Sequence, residues 1–380
     1  MTLRRVVVVG GSIAAVTAVQ TLRAADFDGS ITVLSDEGSQ PYTRVPLSKK
    51  VLAGNESLES VALAPMSDAV DLRLRTPAVG LDPRGRTVRT AGGDVSYDGL
   101  IIATGARARR IGTADQDERV LRTQQDCLRL RDEIARCDSV LIVGGGFLGM
   151  EIASTCCTLG KQVTVIDVAP PLDRLLGATV GGAVRAAAIG RGVRIEVEGE
   201  GVRLIGSPAP TGVLTADGRR WEADVVISAV GDIPNVEWLE GSGIRLGAGV
   251  LVDQRCRVSP EIVAAGEVAL SIGQGGNAFR TPTWTNAVEQ ARAAALALLH
   301  GEDAPVYRPS MYAWTEQFGL HIKMAGPPGP AGVPVTSEGS LEALSALLTW
   351  PSDGGLRQVI GVNHPAPPAK LKRMLGARQP

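Results

Sequence analysis

Two stretches of the chain repeat the same order of apolar and polar positions. Residues 5–36 and 139–167 each open with a short aliphatic run, pass through a turn of small residues and continue with apolar residues at helical spacing. Each then closes with a β-branched run that ends at an acidic residue. Aliphatic runs of this length predict buried strands, and the segment between them predicts a helix. The chain therefore favours an α/β fold with two Rossmann-like domains built on βαβ units.

The turn of the second unit carries a complete glycine pattern. Gly144, Gly146 and Gly149 satisfy GxGxxG, and Asp167 follows at the end of the second predicted strand. A pyrophosphate must approach the backbone at a helix start, where free N–H groups and the positive end of the helix dipole meet its charge. The pattern predicts a dinucleotide site in which Asp167 binds a ribose 2′-hydroxyl. No arginine follows within six residues to neutralise a 2′-phosphate, so NADH is favoured over NADPH.

The first unit departs from this pattern. Gly10 holds the first glycine position, but Ser12 and Ala15 stand at the second and third. Both replacements are small, and a serine can add a hydroxyl donor to the phosphate site. The alternative is a Rossmann-like unit that has lost its ligand.

Charge and composition exclude several classes of function. The 39 basic and 40 acidic residues nearly cancel, which disfavours nucleic acid and anionic membranes as partners. The basic and then apolar start imitates a secretory signal, but its near-copy deep in the chain indicates a buried strand and helix instead. No apolar run is long enough to span a bilayer. The five cysteines lack metal-ligand spacing, which predicts no metal site and reduced thiols in a cytoplasmic protein.

Seven further segments occur in the order of a known family. They are PYTRVPLSK (41–49), YDGLIIATGARARR (97–110), LRTQQD (121–126), ISAVGDIPN (227–235), AAGEVA (264–269), TWTNAVEQARAAA (283–295) and YAWTEQFG (312–319). With these motifs the chain resembles the FAD-dependent ferredoxin reductases of the pyridine nucleotide-disulfide oxidoreductase superfamily, almost from end to end.

The resemblance implies a division into domains. It places an FAD-binding domain at 1–110 and 234–307, an NAD-binding domain at 111–233 and a small C-terminal α+β domain at 308–380. From the residues alone, the pattern predicts only the two βαβ starts and a further strand, turn and strand over 251–267.

The resemblance also implies an activity. The protein is expected to pass electrons from NADH through FAD to a ferredoxin-type iron–sulfur protein that serves a monooxygenase or dioxygenase, and to act as a monomer or homodimer. One alternative is a flavin-dependent NADH oxidase or a small-molecule reductase of a biosynthetic pathway. Another is a nucleotide-binding redox sensor with weakened FAD binding.

A lysine and a glutamate are the predicted catalytic residues. The resemblance implies that Lys49 and Glu151 pair beside the flavin, where the ammonium would stabilise negative charge as hydride arrives. The alternative is a surface lysine and a solvated glutamate. Glu151 lies in an otherwise apolar helix, however, and a carboxylate there requires a partner.

The glycine patterns and the resemblance together give the nucleotide-binding residues. The FAD set is Gly10, Ser12, Ile13, Ala14, Ala15, Asp36, Arg44, Lys49, Val79, Ala103, Thr104, Gly105, Arg122, Gly266, Glu267, Trp284, Ala287 and Trp314. The NADH set is Gly144, Gly146, Phe147, Leu148, Gly149, Asp167, Arg174 and Gly231. On sequence alone, an ordinary exposed side chain is the commoner outcome for Arg44 and Arg122.

Two positions depart from the family pattern. Glu267 stands where the family has an aspartate that binds the ribityl chain, and its extra methylene puts the affinity for FAD in doubt. Pro171 stands where an arginine is common, and Arg174 can take that place.

The sequence also indicates where the electrons pass after they leave the flavin. Residues 1–110 contain no cysteine, so no thiol relay is expected and electrons pass directly to an outside acceptor. Basic residues could recruit an acidic ferredoxin, although such clusters are usually solvated surface. The candidates are Arg107, Arg109, Arg110, Lys370, Lys372 and Arg373.

Overall fold

The chain folds as two units, each assembled from separate stretches of sequence. The computed structural model describes residues 3–66, 69–273, 276–330, 332–352 and 355–376. Unit 1 comprises Met1–Thr43, Val61–Arg107 and Ile233–Met311, and unit 2 comprises Arg44–Ser60, Ala108–Asp232 and Tyr312–Pro380.

Strands outnumber helices in the part of the chain that the structure describes. The α-helices are α1 (Ile13–Ala24), α2 (Gln124–Arg136), α3 (Phe147–Thr158), α4 (Asp173–Ile189), α5 (Trp284–His300) and α6 (Pro368–Gly376). The strands are β1 (Arg5–Val9), β2 (Ser30–Leu34), β3 (Val70–Arg73), β4 (Ala78–Asp82), β5 (Thr87–Thr90), β6 (Gly93–Ser96), β7 (Gly99–Ile102), β8 (Ala106–Ala108), β9 (Ser139–Val143), β10 (Gln162–Asp167), β11 (Arg194–Val197), β12 (Val202–Ile205), β13 (Gly212–Thr215), β14 (Arg220–Glu222), β15 (Val225–Ser228), β16 (Asp232–Pro234), β17 (Leu246–Gly247), β18 (Gly249–Val252), β19 (Arg257–Ser259), β20 (Ile262–Ala264), β21 (Ala269–Ile272), β22 (Ala278–Phe279), β23 (Tyr312–Gln317), β24 (Leu320–Ala325), β25 (Val335–Ser340), β26 (Ser345–Ser352) and β27 (Gly355–Val362).

Unit 1 is built on a six-stranded sheet in the order β19-β20-β7-β1-β2-β3. Its strands are parallel except β19, which pairs antiparallel with β20. Val6 to Val9 of β1 are all buried, as expected for a strand covered on both faces. Helix α1 connects β1 to β2 and packs against α5, with Ala15, Ala18, Ala291 and Ala294 fully buried in their shared core. Unit 1 therefore contains the first predicted βαβ unit.

Unit 2 contains two larger sheets. The first is parallel, in the order β11-β10-β9-β15, with α3 connecting β9 to β10. The second is antiparallel, in the order β23-β24-β27-β26-β25, and α6 packs on β24 and β27. The second βαβ unit and the α+β character of the C-terminal region thus follow the prediction.

The fold class predicted from the sequence is confirmed, while the three domain boundaries stay a prediction. Residues 44–60, predicted within the first domain, group with unit 2. Among the helices that the structure describes, none combines the length and the apolar character that a membrane span requires.

Candidate functional site

The turn after β1 needs a glycine at its first position. Gly10 has φ +129°, and a β-carbon there would lie 2.1 Å from the carbonyl oxygen of Ala103, at the end of β7. The Gly10 N–H donates to the oxygen of Leu34 at the end of β2, over 2.8 Å. Three neighbouring strand ends therefore fix this turn, which we name with its helix start the unit 1 cradle (residues 10–15).

The helix start in the unit 1 cradle keeps its amide donors available. Ser12 is the N-cap of α1, and its side chain makes no capping hydrogen bond. By contrast, Thr283 caps α5, and Thr123 with Asp126 forms a capping box on α2. An uncapped helix start presents free N–H groups and a positive dipole end, which is the geometry that binds a phosphate.

A carboxylate stands at the strand end beside this cradle. Asp36 follows β2 directly, is exposed, and is not hydrogen-bonded to any residue that the structure describes. Gly11 approaches the same strand end so closely that an added β-carbon would lie 2.3 Å from Ser35 Oγ. Asp36 is therefore placed where a carboxylate can bind a ribose hydroxyl.

The segment after β7 is fixed by reciprocal hydrogen bonds. Thr104 Oγ1 donates to the Asn235 backbone oxygen over 2.8 Å, and Asn235 Nδ2 donates to the Thr104 oxygen over 2.9 Å. The Asn235 N–H also donates to the oxygen of Gly105, which has φ +62°. Asn235 thus holds the predicted residues Thr104 and Gly105 in place.

The turn at Gly266 lies against α1 and α5. A β-carbon at Gly266 would lie 3.4 Å from that of Ala14 and 3.8 Å from that of Ala287, so three predicted residues meet here. The Gly266 N–H donates to Gln290 Oε1 over 3.0 Å. Gln290 is 1% exposed and is the residue that secures this turn.

Gln290 belongs to a buried polar network that sequence reasoning missed. Asn286 Nδ2 also donates to Gln290 Oε1, over 3.1 Å, and Tyr307 Oη donates to Asn286 Oδ1 over 2.7 Å. Gln290 Nε2 donates to Ser271 Oγ over 3.3 Å. The available signal was a pair of amides spaced four residues apart in an alanine-rich helix, because buried amides require partners.

Three other predicted FAD residues lie in unit 1. Glu267 follows Gly266, and its backbone oxygen accepts a hydrogen bond from Arg280 Nε over 2.8 Å. Trp284 begins α5 and is 39% exposed, while Val79 on β4 is 59% exposed. Their contacts with a flavin nucleotide stay predictions.

The turn after β9 repeats the first with stricter glycine requirements. Gly144 has φ +104°, and a β-carbon there would lie 2.4 Å from the Ala229 oxygen. A β-carbon on Gly149 would lie 1.9 Å from the Gly144 oxygen. Around Gly146, by contrast, an added β-carbon meets no described atom within 4 Å. We name residues 144–149 the unit 2 cradle.

The helix start in the unit 2 cradle is also uncapped by a side chain. Gly146 is the N-cap of α3, and Phe147 and Leu148 begin the helix with partly exposed side chains. Gly231 has φ +100° and also has space for a β-carbon, and its oxygen accepts the Arg109 N–H over 2.9 Å. The predicted glycines thus leave open space at two points of unit 2, which suits a bound nucleotide.

Asp167 holds the unit 2 cradle, a role that the sequence did not indicate. Its Oδ2 accepts the Gly145 N–H over 2.7 Å, and its Oδ1 accepts the Val168 N–H over 2.6 Å. Arg174, whose side chain is 72% exposed, places Nη2 3.6 Å from Asp167 Oδ1. Pro171 packs against Gly145, where an added β-carbon would lie 2.6 Å from the proline side chain.

The predicted pair of Lys49 and Glu151 is in contact within unit 2. Lys49 Nζ lies 2.7 Å from Glu151 Oε2, and the two side chains are 17% and 10% exposed. Lys49 also donates to the Val45 oxygen over 3.2 Å. The apolar helix around Glu151 therefore correctly indicated a buried carboxylate with a cationic partner, while the catalytic role stays a prediction.

Three more predicted residues lie in unit 2. Arg44 Nη1 donates to the Arg122 backbone oxygen over 2.7 Å, so Arg44 fixes the segment that carries Arg122. Trp314 on β23 stacks on Tyr312 with ring centroids 6.1 Å apart. Neither contact tests their assignment to the flavin.

Four of the five cysteines offer no reactive thiolate at neutral pH. Burial raises the pKa of Cys127 to about 11 and those of Cys156 and Cys256 to about 12. Burial also raises the pKa of Cys137. These four thiols stay protonated and are poor nucleophiles.

Comparison with known proteins gives one consistent result. Residues 4–291 match the family described as pyridine nucleotide-disulphide oxidoreductase. The chain is 34% identical to the biphenyl dioxygenase system ferredoxin–NAD(+) reductase component of Paraburkholderia xenovorans (strain LB400), over 98% of this chain and 93% of that one. It is 32% identical to the terpredoxin reductase of Pseudomonas sp, over 96% and 95%. Among solved structures, it is 28% identical to a chain of the covalent putidaredoxin reductase–putidaredoxin complex, with a TM-score of 0.87 over 98% and 92%.

Proposed function

Because the chain belongs to the pyridine nucleotide-disulphide oxidoreductase family, we propose that it passes electrons from NADH through FAD to a ferredoxin-type iron–sulfur protein. The relatives named above include reductases of a dioxygenase system and of terpredoxin, and one solved relative is captured with putidaredoxin. The resemblance to the ferredoxin reductases predicted from the sequence motifs is thereby confirmed.

One observation carries the proposal. Each unit has a glycine turn at the carboxyl end of a parallel strand, followed by a helix whose start no side chain caps. Two such sites suit two dinucleotides, since each offers free N–H groups and a positive dipole end to a pyrophosphate. FAD binds in the unit 1 cradle and NADH in the unit 2 cradle.

The residues around the unit 1 cradle fit the flavin nucleotide. Asp36 is placed for the adenosine ribose, Ser12 can donate its unused hydroxyl to the pyrophosphate, and Glu267 takes the ribityl position. When bound, FAD accepts two electrons and a proton from NADH as hydride and releases the electrons one at a time to an iron–sulfur protein.

Lys49 and Glu151 support the reduction step. The Lys49 ammonium lies against the Glu151 carboxylate, which holds it in one orientation. A fixed ammonium stabilises negative charge that develops as hydride is transferred, and it does so without reorganisation at that moment.

Asp167 favours NADH over NADPH. Its carboxylate faces the turn of the unit 2 cradle, where a 2′-phosphate would meet a negative charge. Arg174 lies 3.6 Å from the same carboxylate and is mostly exposed, so it supplies only weak compensation. We place this activity in the cytoplasm, where NADH and reduced thiols are both available.

The decisive experiment is a spectrum followed by a reduction. The purified protein should show flavin absorption, and anaerobic NADH should bleach it. Cytochrome c reduction should then depend on an added small [2Fe–2S] ferredoxin. A colourless protein that cannot be loaded with FAD would contradict the proposal, and ferredoxin-independent oxygen consumption at the full rate would indicate an NADH oxidase instead.

A further inference from the structure

Three segments of unit 2 meet at the Glu151 carboxylate. The first is the 3₁₀ turn Val45–Ser48 with Lys49, the second is α3, which carries Glu151, and the third is β23. Ser48 Oγ donates to Glu151 Oε2 over 2.6 Å, and Thr315 Oγ1 donates to Glu151 Oε1 over 2.6 Å. Both oxygens of the carboxylate are therefore hydrogen-bonded by hydroxyls, in addition to the ammonium of Lys49 on Oε2.

The direction of these bonds is set by their neighbours. Gln317 Nε2 donates to Thr315 Oγ1 over 3.0 Å, so the single hydroxyl proton of Thr315 is directed to Glu151. Ser48 is held on its other side, because its backbone oxygen accepts Thr155 Oγ1 over 2.8 Å. The hydroxyl proton of Thr315 is thus directed to Glu151, and the backbone that carries Ser48 is fixed beside the carboxylate.

Burial makes these hydroxyls costly unless they are hydrogen-bonded, and each of them donates its proton to the carboxylate. Thr315 is 0% exposed and Ser48 is 4% exposed. Valine has nearly the shape of threonine and would fill the same space without a polar atom to satisfy. A threonine that only packs would gain nothing from its hydroxyl, whereas a buried carboxylate needs each donor it has.

We propose that Thr315 and Ser48 are positioning residues, which hold Glu151 so that it fixes the Lys49 ammonium for hydride transfer. The inference rests on the proposed function, because it assigns the two hydroxyls to the reduction step. It extends that function to β23, a strand of the C-terminal sheet that carries no nucleotide cradle.

The first measurement is the rate of flavin reduction by NADH in single-turnover, stopped-flow experiments. Thr315→Val leaves Glu151 Oε1 without its hydroxyl donor, and we expect the rate constant to fall about tenfold to hundredfold, the value of a hydrogen bond to a charged group. Thr315→Ser restores the hydroxyl and should return most of the rate. Thr349→Val is the matched control, because Thr349 is buried in the same sheet and, among the described residues, its hydroxyl bonds only within the β25–β26 pair.

The second measurement reports on Lys49 without turnover. The full-length protein is labelled with an amine-reactive reagent, and labelling at Lys49 is compared by mass spectrometry with that at Lys50, whose side chain is 65% exposed. Loosening Glu151 should free the Lys49 amine, so the Lys49-to-Lys50 labelling ratio should rise severalfold in Thr315→Val. It should stay at the wild-type value in Thr349→Val.

Ser48→Ala tests the same inference independently if Thr315→Val does not fold. It removes the other hydroxyl and should change both measurements in the same direction. Wild-type values of reduction rate and labelling ratio in the variant that folds would overturn the inference. That outcome differs from failure of the proposed function, in which NADH would not reduce the flavin of the wild-type protein at all.

Discussion

The two cradles solve one backbone problem with different residues. In each, a glycine with positive φ follows a buried strand, and its missing β-carbon makes room for a carbonyl oxygen at the end of the adjacent strand. Those oxygens belong to Ala103 in unit 1 and Ala229 in unit 2. The first glycine is therefore required by the sheet itself, whatever nucleotide binds.

The later positions of the two cradles follow different rules. Gly149 has no room for a methyl group, because its β-carbon would lie 1.9 Å from the Gly144 oxygen. Ala15 carries that methyl group and is fully buried, packed among the alanines of α1 and α5. The third glycine of the pattern is thus a packing requirement that an alanine-rich helix pair can relax.

The turns are also held by different side chains. In unit 2, the Asp167 carboxylate accepts the Gly145 N–H of the cradle itself. In unit 1, Asp36 makes no such bond, and the neighbouring Gly266 turn is held by the amide of Gln290. The Asp167 carboxylate thus holds the turn of its own cradle, whereas the Asp36 carboxylate bonds no residue that the structure describes.

The largest expected effect is a difference in stability between alanine variants of Gly144 and Gly146, the first and second glycines of the unit 2 cradle. Gly144→Ala combines positive φ with a contact against backbone, and we expect the free energy of unfolding to fall by at least about 3 kcal/mol. Gly146→Ala meets open space at an ordinary φ, so its stability should stay within about 1 kcal/mol of wild type. Chemical denaturation of both variants measures this difference.

Gly146→Ala should nevertheless weaken the binding of NADH. If NADH binds in the unit 2 cradle as we propose, its pyrophosphate and the added methyl group need the same space, and loss of charged hydrogen bonds there should raise the dissociation constant about tenfold to hundredfold. FAD content should be unchanged. Equal stability losses for the two alanine variants would show that both glycines serve only the fold.

The second prediction concerns Gln290, whose side-chain amide holds the Gly266 turn of unit 1. Gln290→Leu leaves the Gly266 N–H and the Asn286 amide without their acceptor, and two buried donors should cost about 2–5 kcal/mol of unfolding free energy. Retention of FAD after gel filtration should fall with it, because the Gly266 turn precedes Glu267.

Gln358 is a natural control for this substitution. It is fully buried in unit 2, and neither atom of its side-chain amide bonds to a described residue. Gln358→Leu should therefore be neutral or stabilising, since no partner is lost. A loss similar to that of Gln290→Leu would indicate a general effect of changing a buried glutamine.

The third prediction tests whether Asp167 both holds the turn of the unit 2 cradle and contributes to NADH binding. Asp167→Ala removes the acceptor for the Gly145 N–H, and we expect about 1–3 kcal/mol of lost unfolding free energy together with weaker NADH binding. Asp36→Ala should leave stability within about 0.5 kcal/mol, because its exposed carboxylate bonds no described residue. Its effect should be confined to FAD affinity. Thermal melts and titrations of the two variants decide whether the carboxylates differ as described.

Sequence reasoning succeeded where the signal is local. The aliphatic runs predicted β1 and β9, and the glycines predicted both turns. An isolated carboxylate in an apolar helix predicted that Glu151 has a partner, which the family resemblance identified as Lys49. It missed Gln290, the clamp by Asp167 and the hydroxyl of Thr315. Each of these bonds a residue more than 20 positions away, so only the folded chain brings the partners together.

The smallest expected effect asks whether the unit 1 cradle reserves its helix start for a ligand. Ser12→Ala removes a hydroxyl that caps nothing, so in the FAD-free protein the unfolding free energy should change by no more than about 0.3 kcal/mol, whereas Thr283→Ala removes a true cap and should cost about 1 kcal/mol. With FAD present, the order should reverse, because of these two hydroxyls only that of Ser12 lies in the cradle that we propose for the pyrophosphate. If the FAD-free Ser12→Ala variant lost as much stability as Thr283→Ala, the hydroxyl would be a cap in solution. The Ser12 hydroxyl would then be occupied as a helix cap, whereas the unit 2 cradle, with Gly146 at its N-cap, has no capping side chain.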